Sequence, residues 1–338
     1  MPLLALLLAL TPGASAQEAL RASSERAFSS AGAFSVRPFA QTPRAPVTPP
    51  APPSVCSGLD FSGVTWPGSF AYEDKLALSL ALNVSGSFEG GDGWGNITDD
   101  FDDQGVSLGL LNQNLGQGSL QPLLVKLRDK HPAVLANVFS PAHLTSLLAM
   151  LAAWQPPQTP QAPGANNPLD EPKPGQILMS PSAAAGVAWA RQNLYVGGKF
   201  DPVWQAELVT MAKTPEYVSI QIAAATWLHE QALAEEAQIG VKELRAYLMM
   251  FDVAVQNGGL HDEDVTDFKA WAKANPNASN LRKLEKVRDL RLRHVRRRFV
   301  VDVHSRKSAI IYGKGRVHGE MRDLPAQYCY SGLWPYKN

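Results

Sequence analysis

Apolar residues recur along the chain with the spacing of amphipathic helices. Within residues 72–84, Leu76, Leu80 and Val84 lie four positions apart and therefore share one helix face. The same spacing predicts further helices over residues 119–130, 141–154, 202–213, 215–238, 242–256, 263–273 and 279–303. Short strands are predicted only near residues 95–110 and 308–319. The pattern therefore predicts a mainly α protein with a small β element.

The segment 242–256 differs from the other predicted helices because its core, YLMMFDVAVQ, is apolar almost all round. A helix without a polar face is typically buried, so this segment is predicted to be the central helix. Asp252 lies in its middle. Because an unpaired buried carboxylate is costly, we expect a basic partner for it, and the candidates are Arg297, Arg298 and Arg306.

Two proline-rich stretches divide the chain. Residues 17–57 favour an extended tail or linker, and residues 155–176 read as a surface excursion inside one domain. Residues 1–16 combine an apolar run with the small-residue pattern Ala14-Ser15-Ala16, which is typical of a secretory signal peptide. The predicted organisation is a signal peptide, a tail and a folded domain over 58–338. The protein is expected to be secreted, periplasmic or in the cell envelope.

Composition and motifs exclude several classes of function for this protein. Lys+Arg and Asp+Glu each number 31, so the overall charge indicates no partner. In an exported protein, Cys56 and Cys329 favour a disulfide, with two unpaired buried thiols as the alternative. We find no HExxH motif, dinucleotide fingerprint, nucleophile elbow or nucleic-acid motif. The sequence therefore predicts no metal, no cofactor, no nucleic acid, no membrane span and a monomer.

The candidate catalytic residues lie in one stretch, residues 87–109. Its sequence, SFEGGDGWGNITDDFDDQGVSLG, has six acidic residues among many glycines. A carboxyl acts as a general acid when its surroundings favour the protonated form, and a second carboxyl acts as a base when it stays ionised. Glu89 follows an apolar helix, whereas Asp102 lies in a polar turn. Two acids so placed suit a glycosidase. A solvated loop is the simpler alternative, and Trp94 breaks the calcium-loop pattern.

The string FEGGDGWGNITDDFDDQGVSLGLLNQNLGQGSLQPLL resembles cell-wall hydrolases of the lysozyme superfamily and is similar in layout to bacterial chitosanases. The resemblance implies a two-lobed, lysozyme-like (chitosanase-like) fold. By this likeness Glu89 is the proton donor, Asp102 the base and Ser107 a hydroxyl that helps hold the attacking water. Asp103 stands where such proteins commonly have glycine, and it is the alternative base.

The stretches YLMMFDVAVQNGG and SRKSAIIYGKGRVHG resemble further parts of these relatives, and the first implies that Asp252 joins an ion-pair network behind the catalytic Glu. Gln113, Asn114 and Trp94 are candidate sugar-binding residues, with packing in the core as the alternative for Trp94. The resemblance thus implies an inverting glycoside hydrolase of a β-linked amino-sugar polymer, with peptidoglycan favoured and chitosan as the alternative. A lytic transglycosylase and a non-catalytic wall-binding or envelope-structural protein remain contrasting hypotheses.

Overall fold

The computed structural model describes residues 56, 58–156, 169–170 and 179–336. The predicted signal peptide, most of the predicted tail and most of the excursion at 155–176 lie outside these residues. The helices are α1 (Tyr72–Glu89), α2 (Gln121–Lys130), α3 (Pro132–Val138), α4 (Pro141–Ala153), α5 (Pro181–Asn193), α6 (Pro202–Ala212), α7 (Pro215–Ile239), α8 (Leu244–Asn257), α9 (Asp262–Ala274), α10 (Asn280–Arg291), α11 (Val300–Tyr312) and α12 (Leu324–Tyr328).

The strands are short and antiparallel. β1 (Ile97–Thr98), β2 (Ser107–Leu108) and β3 (Gln113–Asn114) form a three-stranded sheet directly after α1. Two hairpins follow, made by β4 (Tyr195–Val196) with β5 (Lys199–Phe200) and by β6 (Lys314–Val317) with β7 (Glu320–Asp323). Single-turn 3₁₀ helices span Gly93–Gly95, Leu292–His294 and Arg297–Phe299. The predicted mainly α class with a small β element is confirmed.

Capping side chains fix where several helices begin. The side chains of Ser140, Ser180, Asp201 and Thr214 accept backbone N–H bonds at the starts of α4, α5, α6 and α7. Each of these helices has proline in its first turn, where the missing N–H costs nothing. Ser, Thr and Asp compensate first-turn amides that have no intrahelical partner. These local signals therefore set the helix starts independently of tertiary packing.

The predicted central helix is confirmed as α8. It packs against α1, α7 and α11, and almost every one of its residues is buried. Helix α8 ends at Asn257, because the next residue, Gly258, takes the left-handed conformation that favours glycine. Burial on all sides explains why the sequence of α8 lacks the polar face of the other helices.

Buried apolar residues form two cores, in agreement with the predicted two-lobed class. One core is built around α1, α8, α10 and α11, and the other around β2 and α2–α6. Helix α7 contributes to both cores. Its residues Val218 and Ile222 lie in the first core, whereas Tyr217 and Ile220 lie in the second. The long α7 is therefore shared by the two halves of the domain.

The continuous helix predicted over 279–303 is wrong. α10 ends at Arg291, two 3₁₀ turns follow, and α11 continues to Tyr312 through residues predicted to be strand. The break coincides with a contact from a distant part of the chain, because Arg296 N donates to Leu169 O at 2.8 Å and Val295 bridges Asp170. The helix is interrupted where its backbone pairs with this segment.

Other elements were not predicted, namely α3, α5, α12 and the β4–β5 hairpin. Helix α5, with the sequence PSAAAGVAWARQN, is rich in alanine and shows no wide apolar stripe. Within the described ranges, no helix combines the length and apolarity that a bilayer crossing needs. The sulfurs of Cys56 and Cys329 are bonded to each other, joining residues 273 positions apart.

Candidate active site

Glu89 is the last residue of α1 and lines an open pocket of about 890 Å³. Helix α1 ends there because Gly90 takes an extended conformation and turns the chain away. A Cβ atom on Gly90 would lie only 1.9 Å from Asn96 Oδ1, so the close approach of these two residues requires glycine. The side chains around the pocket include Leu59, Asp60, Asn83, Phe88, Glu89, Asp92, Trp94, Leu110, Lys213, His318, Glu320, Arg322 and Tyr328.

Two side chains hold the Glu89 carboxyl group. Arg306 Nη1 contacts Oε1 at 2.7 Å, and Asn112 Nδ2 donates to Oε2 at 3.1 Å. Asn112 is itself fixed by Asn96, whose Nδ2 donates to Asn112 Oδ1 at 2.7 Å. The sequence analysis did not select Asn112, although it lies directly before the candidate Gln113. Glu89 is therefore oriented from two sides at the wall of a solvent-accessible pocket.

A buried ion-pair network supports Arg306 from behind. Arg306 Nη2 contacts Asp252 Oδ1 at 2.6 Å, and Lys307 Nζ contacts Asp252 Oδ2 at 2.5 Å. Burial alone would raise the pKa of Asp252, but the charges of Arg306 and Lys307 outweigh it and lower this pKa to about 2. Asp252 is thus ionised and paired, as the physical argument from its buried position expects.

The predicted partners of Asp252 need correction. Among the described residues, Arg306 pairs with Asp252, but Arg297 and Arg298 do not; both are exposed on the 3₁₀ turn before α11. Lys307 was missed, although it is 1% exposed and contacts the same carboxylate. In the sequence, Arg306 and Lys307 interrupt a helix that is otherwise apolar on its buried side, where unpaired charges are not tolerated, but which carboxylate they pair with depends on how α8 and α11 pack.

Asp102 lies on the turn between β1 and β2, outside the residues that line the Glu89 pocket. Its Oδ1 accepts a bond from Gln104 N at 3.3 Å. Desolvation by the surrounding protein raises the pKa of Asp102, and the charges of Asp100 and Asp103 add to this, against the hydrogen bond from Gln104. Asp102 is exposed on this turn, among the polar residues Asp103 and Gln104.

Arg191 fixes this acidic turn from α5. Its Nε contacts Asp100 Oδ2 at 2.5 Å and its Nη2 contacts Asp103 Oδ1 at 2.7 Å. Asp100 also accepts a bond from Gly105 N at 2.6 Å, so it belongs to the framework of the turn. Asp103 has a φ of 64°, in the left-handed region that favours glycine. Glycine adopts this conformation with less strain than aspartate does.

The remaining predicted residues lie mostly in structural positions. Ser107 is a buried residue of β2, paired with Thr98 and Asn114. Asn114 is buried, and its Oδ1 accepts a bond from Gln117 N, while neither Asn114 nor Gln113 is among the pocket-lining residues. The structure thus gives Asn114 a turn-stabilising contact instead of an exposed amide for sugar.

Trp94 does line the pocket, but as part of its wall. It is 7% exposed, its Nε1 donates to Asp60 O at 2.9 Å, and its ring meets Phe61 edge-on at 5.6 Å. A ring enclosed in this way offers little free face for stacking on a sugar. The core-packing interpretation of Trp94 therefore accounts for its contacts better than the sugar-binding one.

The β6–β7 hairpin supplies pocket residues that the sequence analysis missed. His318, Glu320 and Arg322 all line the pocket. His318 Nε2 contacts Asp302 Oδ1 at 2.6 Å, and Arg322 Nη2 donates to Ser87 O at 3.3 Å. The hairpin is thereby attached to α11 and to the end of α1. These residues could not be assigned from sequence because they are separated from Glu89 by more than two hundred positions.

No protein-family model and no curated protein matches the chain. Among solved structures, it is similar to a native chitosanase from Bacillus subtilis, with a TM-score of 0.48 and 14% identity over 76% of this chain and 98% of that chain. A GH46 chitosanase from Gynuella sunshinyii, solved with chitotetraose, gives a TM-score of 0.45 and 12% identity, covering 75% of this chain and 98% of that one. A further chitosanase complex gives 0.43 and 17%, covering 73% and 95%. Likenesses of this size assign neither a family nor an activity.

Proposed function

We propose that the protein is an exported glycoside hydrolase that cleaves a β-linked amino-sugar polymer. The observation that carries this proposal is the Glu89 carboxyl group, held by Arg306 and Asn112 at the wall of an open pocket. A carboxyl group fixed in this way meets the positional requirement for proton transfer to a bound substrate. A carboxylate in a solvated loop, the simpler alternative, would need no buried network behind it.

In this proposal Glu89 protonates the glycosidic oxygen as the bond to the leaving sugar breaks. Oε1 is engaged by Arg306, so Oε2, beside Asn112, is the oxygen that exchanges the proton. The Asp252 network keeps Arg306 in place while the charge on Glu89 changes. Glu89 is the catalytic residue in this scheme, and Arg306 is a positioning residue.

Asp102 acts as the base that activates a water molecule, and Ser107 helps to orient that water. In an inverting glycosidase, acid and base are well separated because the sugar ring and the attacking water lie between them. The position of Asp102 on a turn outside the pocket that Glu89 lines is compatible with this requirement. The raised pKa of Asp102 makes its ionised form the stronger base. Asp103 remains the alternative base.

Peptidoglycan is the favoured substrate. The pocket combines the acidic residues Asp60, Asp92 and Glu320 with the basic residues Lys213, His318 and Arg322. A polycationic chitosan chain is best matched by an acidic cleft, whereas a wall polymer with carboxylates needs basic groups as well. The mixed pocket supports peptidoglycan, and chitosan is the second candidate because of the acidic turn at 99–103.

Release of reducing ends from peptidoglycan and from chitosan tests the proposal. We expect the wild type to act on peptidoglycan in preference to chitosan, and Glu89→Gln to lose hydrolysis while it still folds and binds polymer. Glu230→Gln, at an exposed position of α7, is the matched control and should keep wild-type activity. A wild type that binds wall polymer but releases neither reducing ends nor anhydro ends from either substrate would favour a non-catalytic wall-binding protein.

A lytic transglycosylase is separated from a hydrolase by Asp102→Asn. A hydrolase needs a base to activate water, so this variant should lose activity. A transglycosylase forms anhydro ends without that water, and the same substitution would leave its activity largely intact.

A further inference from the structure

A second cluster of polar side chains lies outside the pocket, where α9 begins and α10 has ended. His261 precedes α9, Glu263 lies in its first turn, and His294 lies in the 3₁₀ turn after α10. One ligand-capable atom from each of the three residues lies within 4.8 Å of those from the other two. The side chains of His261 and His294 are 15% and 19% exposed, and that of Glu263 is 65% exposed. Solvent can therefore reach the cluster.

Both histidines are oriented by a buried carboxylate. His261 Nε2 lies 3.0 Å from Asp170 Oδ2, and His294 Nε2 lies 3.0 Å from Asp264 Oδ1. Because ionised carboxylates only accept hydrogen bonds, Nε2 carries the proton in both rings. In the neutral imidazoles this leaves Nδ1 with its lone pair. A carboxylate that fixes the far nitrogen of an imidazole is the usual outer partner of a metal-binding histidine.

The third residue, Glu263, brings a carboxylate oxygen close to the two histidines. Glu263 Oε1 lies 3.4 Å from His294 Nδ1, so a carboxylate oxygen and a ring nitrogen face the same space. The imidazole rings of His261 and His294 are stacked with their centres 4.1 Å apart, so a nitrogen of each ring is close enough to Glu263 for one ion to reach all three residues. One ion ligated by all three residues satisfies the three lone pairs together.

We propose that His261, Glu263 and His294 bind a divalent transition-metal ion of the zinc class, through Nδ1 of both histidines and a carboxylate oxygen of Glu263. Two imidazoles and one carboxylate, with water as the fourth ligand, are a recurrent tetrahedral zinc set. Zinc bonds of about 2.0–2.1 Å place tetrahedral ligands about 3.3 Å apart. The two rings, now inclined by 19°, must therefore tilt so that their Nδ1 atoms converge on the ion.

The ion would have a structural role, linking parts of the chain that are distant in sequence. Leu169 and Asp170, the described residues between positions 156 and 179, are attached here through Arg291, Arg296 and Val295. A metal bound by His261 and His294 would lock this attachment to the start of α9 and the end of α10. None of the three ligands lines the pocket around Glu89. The ion is therefore not required for the proposed hydrolysis, and the two proposals can fail independently.

Calorimetric titration with Zn²⁺ tests this site in the full chain. The protein should be untagged, with its disulfide intact so that no thiol competes, and freed of metal with a chelator before titration. We expect one Zn²⁺ per chain. Asp170→Asn, which removes the carboxylate behind His261, should weaken binding by about 10–100-fold. Loss of a direct ligand, in Glu263→Gln, should weaken it at least as much.

Glu263→Gln decides the test, because this exposed residue can be replaced without disturbing the core. His131→Ala and Glu230→Gln are matched controls from elsewhere in the chain, and their affinity should equal that of the wild type. Thermal unfolding of the metal-free variants reports whether the fold is preserved. The proposal is overturned if the wild type takes up no stoichiometric Zn²⁺, if Glu263→Gln binds as tightly as the wild type, or if His131→Ala weakens binding equally.

Discussion

At the scale of single residues, Arg306 connects the candidate acid to the centre of the protein. One terminal nitrogen contacts Glu89 and the other contacts Asp252, which uses the fixed fork of the guanidinium group. A lysine at this position has a single point of charge and cannot make both contacts in the same geometry. The position of the Glu89 carboxyl therefore depends on arginine itself and not only on a positive charge.

We expect Arg306→Lys to lower kcat by about 100-fold, the size of effect that a small misplacement of a reacting group produces, with little change in KM. Steady-state kinetics checks this, and urea unfolding checks that the variant is folded at the assay temperature. Arg282→Lys, at an exposed position of α10, should leave both constants unchanged. A variant of Arg306 with wild-type kcat would show that the ion pair does not position Glu89.

The raised pKa of Asp102 leads to a pH prediction. A base must be deprotonated, so the rate falls as the pH drops through its pKa, and the charge of Asp103 adds to the rise of this pKa. Asp103→Asn removes that charge and therefore lowers the pKa of Asp102. The acid limb of the kcat profile should therefore move to lower pH.

Asp129→Asn, on the exposed end of α2, is the control and should leave the profile in place. A limb that stays fixed or moves to higher pH in Asp103→Asn would contradict the assignment of Asp102. Complete loss of activity in Asp103→Asn would identify Asp103 itself as the base.

The role of a residue could be predicted where its own position in the sequence imposes a physical requirement. The buried carboxylate of Asp252 requires a cation, and Arg306 supplies it, but Lys307 was not foreseen because the pairing depends on how α8 and α11 face each other. Asn112 and Arg191 were missed for the same reason, since their roles are defined by contacts with residues distant in sequence. The assignments of Glu89 and Asp102 remain predictions that only kinetics can decide.

At the scale of elements, α1 must approach the loop after β2 very closely. A Cβ atom on Gly86 would lie 2.4 Å from Leu110 Cδ1 and 2.7 Å from its Cγ, and Leu110 is 2% exposed. Helix propensity alone expects Gly→Ala to stabilise α1 by about 1 kcal/mol. The packing predicts the opposite sign, because a buried leucine has little room to move.

We therefore expect Gly86→Ala to reduce the free energy of unfolding by about 1–3 kcal/mol, as measured by urea denaturation. Gly68→Ala, where a Cβ atom meets nothing within 4 Å, is the control and should change it little. Greater stability of Gly86→Ala than of the wild type would mean that the approach of α1 to Leu110 is looser than described.

Elements with a strong local signal were predicted well. The apolar sequence of α8 identified it as the central helix, and its burial follows from that pattern. The break between α10 and α11 could not be predicted, because it depends on pairing between Arg296 and Leu169, 127 positions earlier in the chain. The alanine-rich α5 lacks the periodic apolar face on which sequence reasoning depends.

At the scale of the whole molecule, the bond between Cys56 and Cys329 closes a loop of almost the entire folded domain. Such a cross-link stabilises mainly by restricting the unfolded chain, and native disulfides typically contribute about 2–5 kcal/mol. The Cys56→Ser, Cys329→Ser double variant should lose free energy of unfolding in this range. Urea denaturation of oxidised wild type and the double variant measures it, and equal midpoints would contradict the expectation.

Fold class could be predicted for the whole molecule because helical periodicity and two short glycine-rich strand regions were sufficient to indicate it. The pocket could not be predicted, since α1, Lys213 directly after α6, and the β6–β7 hairpin all contribute to it. Its mixed charge emerges only from this assembly. Substrate preference is therefore a property of the folded molecule and not of any one motif.

The mass spectrum of the soluble fragments released from purified peptidoglycan tests the central claim most directly. For the wild type we predict fragments that carry one added water molecule for each glycosidic bond cleaved, and none from folded Glu89→Gln. Release of the same fragments at the same rate by Glu89→Gln would contradict the account, as would wild-type fragments that all carry anhydro ends.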